Sequence, residues 1–153
     1  FMDVLIVYAS LSGNTEELAQ LIAHEIKTNG GNCDLVKIGR VPFSIPKDKY
    51  DIVLFGSYTW DDGALPIPMR KQLRESLIVA TDKPSKAAVF GTGDTQYPKY
   101  CRAVDEIEYH IRKHGIEIVT DGLKIEQFPQ GRQIVKTKEW VNHILGGIST
   151  WKV

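Results

Sequence analysis

The strongest constraint on this chain is an alternation between two hydrophobic periods. Val4-Leu5-Ile6-Val7-Tyr8 is an unbroken apolar run, the pattern of a strand buried on both faces. From Asn14 the period changes, with Leu18, Leu21, Ile22 and Ile26 recurring at helical spacing until Gly30-Gly31. Asn14 and Glu17 have the form of a capping box at the start of that helix. The same switch then repeats. Residues 33–38 read as a second, more polar strand suited to an edge, and 41–48, with two prolines, as a loop. Residues 52–56 form another buried strand, 57–68 a long irregular connection, 69–77 a short helix and 87–91 a further buried strand, followed by a loop over 92–99. Tyr100, Val104, Ile107 and Ile111 fall on one stripe of a helix ending near Gly115. Residues 116–125 hold strand-like runs broken at Asp121-Gly122. Trp140, Val141, Ile144 and Ile148 mark a last helix, stopped at Gly146-Gly147 or slightly beyond.

A β-α-β order of this kind predicts an α/β, doubly wound sandwich: a five-stranded parallel sheet with helices on both faces. A length of 153 residues suits a single domain over 1–153. Phe1 precedes Met2, so Met2 reads as the natural start and Phe1 as an addition. With 42% hydrophobic and 25% charged residues the chain is globular rather than disordered. Nineteen basic against nineteen acidic side chains argue against nucleic-acid binding, which favours a basic excess. No apolar run approaches the roughly 20 residues needed to span a bilayer, and no signal-peptide pattern opens the chain. Two cysteines, Cys33 and Cys101, suit a reducing setting, so the protein is expected in the cytoplasm.

Ligands of such sheets sit outside the carboxyl ends of the strands. The loops after the first, third and fourth strands are therefore the places to look, and they are the most unusual segments of the chain. Ser10-Leu11-Ser12-Gly13-Asn14-Thr15 sets hydroxyls, a glycine and an amide directly before a helix. A helix N-terminus offers free N–H groups and partial positive charge. Gly13 would let the backbone wrap an anion, held by neutral donors because the loop has no Lys or Arg. The loop matches neither the P-loop nor the dinucleotide Gly-x-Gly-x-x-Gly pattern. The plainer reading is a helix cap, which accounts for one such residue but not four. The second loop, from Ser57 and Tyr58 through Thr59, Trp60 and Asp61, and the third, from Gly91, Thr92, Gly93 and Asp94 to Tyr97, Tyr100 and Cys101, each bring aromatic residues to a strand end. A flat heteroaromatic ligand could stack between a ring from each loop. Tyr100 fits its helix stripe and reads as packing, whereas Trp60 and Tyr97 lie in polar, turn-rich segments.

Three motifs in order carry a resemblance. Ser-x-Ser-Gly-Asn-Thr at 10–15 resembles the FMN phosphate loop of flavodoxins. Thr-Trp-Asp-Asp-Gly-x-Leu-Pro at 59–66 and Gly-x-Gly-Asp-x-x-Tyr-x-x-Tyr-Cys at 91–101 resemble their two isoalloxazine loops. The resemblance runs from first strand to last helix and is to the short-chain type, with a flavodoxin-like fold. It implies FMN as cofactor, with Ser10, Ser12, Asn14 and Thr15 on the phosphate and Trp60 and Tyr97 sandwiching the ring. Gly91, Asp94 and backbone near Thr59 and Thr92 would contact the ring edge and ribityl chain. It further implies a low-potential one-electron carrier, a monomer, between a flavodoxin reductase and a metalloenzyme, with no catalytic acid–base pair and no metal. Asp61 stands where the family commonly has the glycine whose peptide turns over to flavin N5. A non-glycine residue resists that turn, so Asp61→Gly is expected to raise the semiquinone yield in a redox titration.

Weaker readings remain beside these. His110 and His114 have a metal-pair spacing without an evident third ligand, so an exposed pair is the plainer reading. Cys101 opens a helix, where a thiol pKa can fall; the plainer reading is a half-buried packing cysteine. Trp140 reads as core, and Trp151 has no assignable role. A phosphoacceptor receiver needs acidic strand ends that Ser57 and Asp3 do not supply. A small FMN-dependent oxidoreductase, of quinone-reductase kind, or a flavin-free interaction module would share the architecture. The even charge departs from the family's usual acidity, so partner binding is expected to depend weakly on salt and the last reduction step to be less negative in potential. Lys99 and Arg102 flank the third loop at the presumed docking rim.

Overall fold

A computed structural model describes residues 2–60 and 62–152, with side chains as far as Gly146; Phe1, Asp61 and Val153 lie outside the described residues, as do the Ile148 and Trp151 side chains. The elements run β1 (Asp3–Tyr8), α1 (Asn14–Thr28), β2 (Asn32–Lys37), β3 (Ile52–Tyr58) and α2 (Ile67–Arg74), which continues into a π-helical turn at Glu75–Val79. Then come β4 (Lys86–Gly93), α3 (Arg102–Lys113), β5 (Glu117–Ile118), β6 (Leu123–Glu126) and α4 (Arg132–Lys152). The sheet order is β2-β1-β3-β4-β5, every pairing parallel. β6 also pairs with β4, further along, so two short strands share the fifth position and the break falls at Asp121-Gly122 as expected.

Alternate residues of the central strands face opposite layers. Val4, Ile6 and Tyr8 pack with Leu18, Ile22 and Ile26 of α1 and with Trp140, Val141 and Ile144 of α4. Leu5 and Val7 face Met69, Leu73 and Leu77 on one side helix and Val104, Ile107 and Ile111 of α3 on the other. Both faces of the sheet are thus covered, which is why the strands read as continuous apolar runs.

Several boundaries differ from the sequence reading, each for a local reason. β3 and β4 run two residues further than their apolar runs, so Ser57, Tyr58, Thr92 and Gly93 are strand residues rather than loop. α2 starts at Ile67, because Pro68 sits in the first turn, where its missing N–H has no intrahelical partner to lose. Tyr100 precedes α3 rather than joining its stripe. α4 begins at Arg132, eight residues before Trp140, with a largely exposed opening that shows no apolar stripe. Gly146-Gly147 does not stop it, since a mid-helix glycine costs only about 1 kcal/mol relative to alanine.

The register sets what meets at the carboxyl ends. Tyr8 lies level with Gly56, Ser57 with Gly91, Tyr58 with Thr92, and Gly93 with Glu126. Gly56 lets this register close over the core, because a Cβ there would run into the Phe90 ring.

Candidate functional site

The first loop is held by its glycine and one serine. Gly13 adopts φ 97°, a left-handed conformation natural to glycine, and is the N-cap of α1. The predicted capping box is absent: Asn14 is the first helical residue, and no side chain of the N-cap residue closes the helix. Instead the Glu17 N–H donates to the Gly13 carbonyl at 3.0 Å and the Glu16 N–H to Ser10 Oγ at 3.3 Å. Asn14, relieved of capping, lines a cleft with Leu11 and Ser12. Thr15 is buried behind the loop, its hydroxyl 2.7 Å from that of Thr92 on β4.

The second loop is closed on itself. The Trp60 N–H donates to the Ala64 carbonyl at 3.2 Å, the Gly63 N–H to the Trp60 carbonyl at 2.7 Å, and the Ala64 N–H to Asp62 Oδ1 at 2.8 Å. Trp60 stacks edge-on against Tyr58 at 5.5 Å and remains 43% exposed. Thr59 reaches across to the third loop, where Thr59 Oγ1 accepts the Ala103 N–H at 3.1 Å and so caps α3 from another element. In the third loop Asp94 Oδ1 accepts the Gln96 N–H at 2.8 Å and its carbonyl accepts the Tyr97 N–H at 3.1 Å, presenting a Tyr97 ring that is 40% exposed. Gly91 and Gly93 allow β4 to approach its neighbours. A Cβ at Gly91 would lie 2.6 Å from the Ser57 carbonyl oxygen, and one at Gly93 2.9 Å from the Cys101 nitrogen.

These segments enclose a cleft of about 430 Å³ at the carboxyl ends of β1, β3 and β4. Leu11, Ser12 and Asn14 line one part; Tyr58, Thr59, Trp60, Thr92 and Gly93 a second; Asp94, Tyr97, Tyr100 and Cys101 a third. Ser10, Gly13, Thr15, Ser57 and Gly91 stand among the supporting residues rather than at the cleft wall, and Asp61 lies outside the described residues. Two further wall residues stand outside the expected binding set, Lys99, read from the sequence only as part of a docking rim, and Gln127, not singled out at all. Lys99 folds its stem over Gly63 to reach the cleft. Gln127 follows β6, and its N–H donates to the Gly93 carbonyl at 2.8 Å with φ 57°. Its place at a strand's carboxyl end was the available signal.

Burial shifts titratable groups that line the cleft. Burial pushes the Cys101 thiol up to about 11, the reverse of the lowering that a helix start suggests, because the side chain is fully buried and the thiolate would be stripped of water. Burial likewise raises the Tyr58 and Tyr100 phenols above their ordinary value. Among the described residues no group of three or more His, Cys, Asp or Glu could hold a metal, and His114 Nδ1 lies 2.9 Å from the His110 carbonyl. Among them, too, no helix is long and apolar enough to cross a membrane.

Comparison with known proteins agrees with this geometry. The flavodoxin family profile matches residues 6–140. The chain is 37% identical to Probable flavodoxin 2 of Bacillus subtilis (strain 168) over 130 residues, 85% of each chain. It is 38% identical to the flavodoxin of Maridesulfovibrio salexigens over 136 residues, 86% of this chain and 90% of that one. The crystal structure of oxidised Flavodoxin 1 from Bacillus cereus superposes with a TM-score of 0.82 at 33% identity, covering 94% of this chain and 97% of that one. A parallel sheet in this order, three loops converging on one cleft and matches across nearly the whole chain give one answer: the chain belongs to the flavodoxin family of FMN-binding electron carriers.

Proposed function

We propose that FMN occupies the cleft at the carboxyl ends of β1, β3 and β4, and that the protein is a low-potential one-electron carrier, a single-domain monomer of the cytoplasm, moving electrons from a flavodoxin reductase to a metalloenzyme. The observation that carries this reading is the convergence of neutral donors and two half-exposed rings on one cleft of about 430 Å³. That volume lies within the roughly 300–1,000 Å³ of small-molecule sites. The donor set fits a phosphate ester at one end and a flat ring at the other. Ser12, Asn14 and the leading N–H groups of α1 suit the phosphate, with Ser10 and Thr15 fixing the loop that presents them.

Bound FMN supplies the electron chemistry; the chain positions it and sets its surroundings. Trp60 and Tyr97, both in the cleft wall, would flank the ring and exclude water from its faces. The loop hydrogen bonds around Trp60 and Asp94 fix the backbone that carries both rings. Asp94 would oppose negative charge on the ring, while Lys99, from the same loop, would offset it.

The test is FMN titration of the purified protein, followed by absorbance and tryptophan fluorescence. Stoichiometric uptake with quenching is expected. Trp60→Ala should weaken binding roughly tenfold, the scale of one stacking contact at about 1–3 kcal/mol. A protein that takes up no FMN would contradict the reading and leave an interaction module on the same fold.

A further inference from the structure

A second concavity, of about 370 Å³, lies between α2 with its π-helical turn and α3, and shares no lining residue with the cleft. Its floor is apolar and buried, built from Leu65, Leu73 and Leu77. One wall is basic. Arg70 and Arg74 stand one helical turn apart on α2, both exposed, and neither joins an ion pair among the described residues. The facing wall on α3 carries His110 and His114, also one turn apart, and a single carboxylate, Glu106. At the end of the groove the Ala80 N–H closes the π-helical turn on the Glu75 carbonyl at 2.9 Å. That turn leaves Ile78 and Val79 59% and 56% exposed, outside the buried stripe of Met69, Leu73 and Leu77. Adjacent exposed apolar side chains of this size do nothing for the core, and π-helical turns recur at functional sites.

We propose that this groove is a docking surface for an acidic protein partner, which sets carboxylates on Arg70 and Arg74 and an apolar side chain over Leu73 and Leu77. Charge complementarity selects the occupant. Two unpaired guanidiniums one turn apart match carboxylates spaced i, i+4 on a partner helix, and guanidinium forks hold carboxylates bidentately. The apolar floor beside the arginine wall takes the helix's apolar face, a helix-in-groove arrangement. A lipid surface fits poorly, because the site is concave and has two arginines and a carboxylate instead of a cluster of four to eight basic side chains. With 19 positive and 19 negative side chains overall, the attraction is local to the groove. The groove shares no lining residue with the cleft, so its occupancy does not require the cleft to be filled. The docking does not depend on FMN.

The probe is a synthetic amphipathic helix of about 15 residues with leucines along one face and flanking glutamates one turn apart; the control peptide replaces every glutamate with lysine. Binding is followed by amide NMR and fluorescence anisotropy on the full chain, with and without FMN. The acidic peptide should shift the amides of Arg70, Leu73, Arg74, Leu77 and His110, with or without FMN, and the lysine peptide should not. Arg70→Glu/Arg74→Glu should weaken binding at least roughly tenfold while FMN affinity and melting temperature hold; Arg70→Gln/Arg74→Gln, milder in charge, should fall between. The proposal is overturned by shifts elsewhere, by equal affinity for both peptides or in the charge-reversed variant, or by no binding at millimolar peptide. Binding to phosphatidylserine–phosphatidylcholine vesicles in place of the peptide would assign the groove to a membrane, and dimerisation lost in the charge-reversed variant would assign it to a second copy; either overturns it.

Discussion

Thr15 and Thr92 stand 77 positions apart, yet their buried hydroxyls share one hydrogen bond at 2.7 Å. This pair ties the first loop to the strand beneath the third. Removing one hydroxyl leaves the other buried without a partner, a cost of about 1–3 kcal/mol, whereas removing both can be nearly neutral. Urea denaturation should therefore find Thr15→Val destabilising and Thr15→Val/Thr92→Val costing less than the sum of the single changes; additive losses would contradict the pairing. The thiols give a second prediction. Burial pushes Cys33 up to about 12 and Cys101 up to about 11, so both are protonated at neutral pH. Native protein should leave a thiol reagent such as dithionitrobenzoate unreacted, with two thiols appearing on unfolding; rapid reaction of Cys101 in the native state would contradict this. Residue identities around the cleft were legible because hydroxyls and aromatic rings in turn-rich segments have no better use. Their partners were not. Ser10 caps α1 and Thr59 caps α3 across gaps in sequence that local motifs do not span. Cys101 read as a half-buried packing cysteine and is fully buried, because Gly91 of β4 and Ile125 of β6 close over its thiol.

The helices divide into those whose ends are written locally and those whose ends are not. α1 was readable because its apolar stripe spans its length and glycines close it. Its start depends on Gly13 at φ 97°, so Gly13→Ala should destabilise the protein by about 1–2 kcal/mol in thermal or urea unfolding, despite open space for the methyl group. An unchanged stability would mean that the loop relaxes. α4 was readable only from Trp140 on, since its first turns are largely exposed, and α2 was shortened by prolines that a first helical turn tolerates. α3 carries a pH-dependent element. Burial raises the Glu108 carboxyl more than Arg112, 3.9 Å away, lowers it. The folded state then holds the proton more tightly than the unfolded chain, so stability is fullest at acid pH and falls as pH rises through the raised value. Glu108→Gln is expected to stabilise the protein at about pH 7 and to give little gain near pH 4, where the native carboxyl is already protonated. A loss at neutral pH would show that the Arg112 pair outweighs the burial.

For the molecule as a whole, the parallel sheet with helices on both faces was legible because buried parallel strands leave continuous apolar runs and alternate with helical patterns. The register was not, and it is the register that brings Tyr58 level with Thr92 and Gly93 level with Glu126, adding Gln127 to the cleft. The balance of 19 against 19 charges removes long-range attraction from the account. Association rates with a redox partner should therefore change little with salt; a steep fall in association rate with salt, measured by stopped flow, would contradict this. The central claim is that the three loops hold FMN for one-electron transfer. An anaerobic redox titration of the FMN-loaded protein, followed by visible absorbance, tests it most directly. Two resolved one-electron steps, both displaced from those of free FMN, are predicted; a single two-electron wave at the potential of free FMN would contradict it.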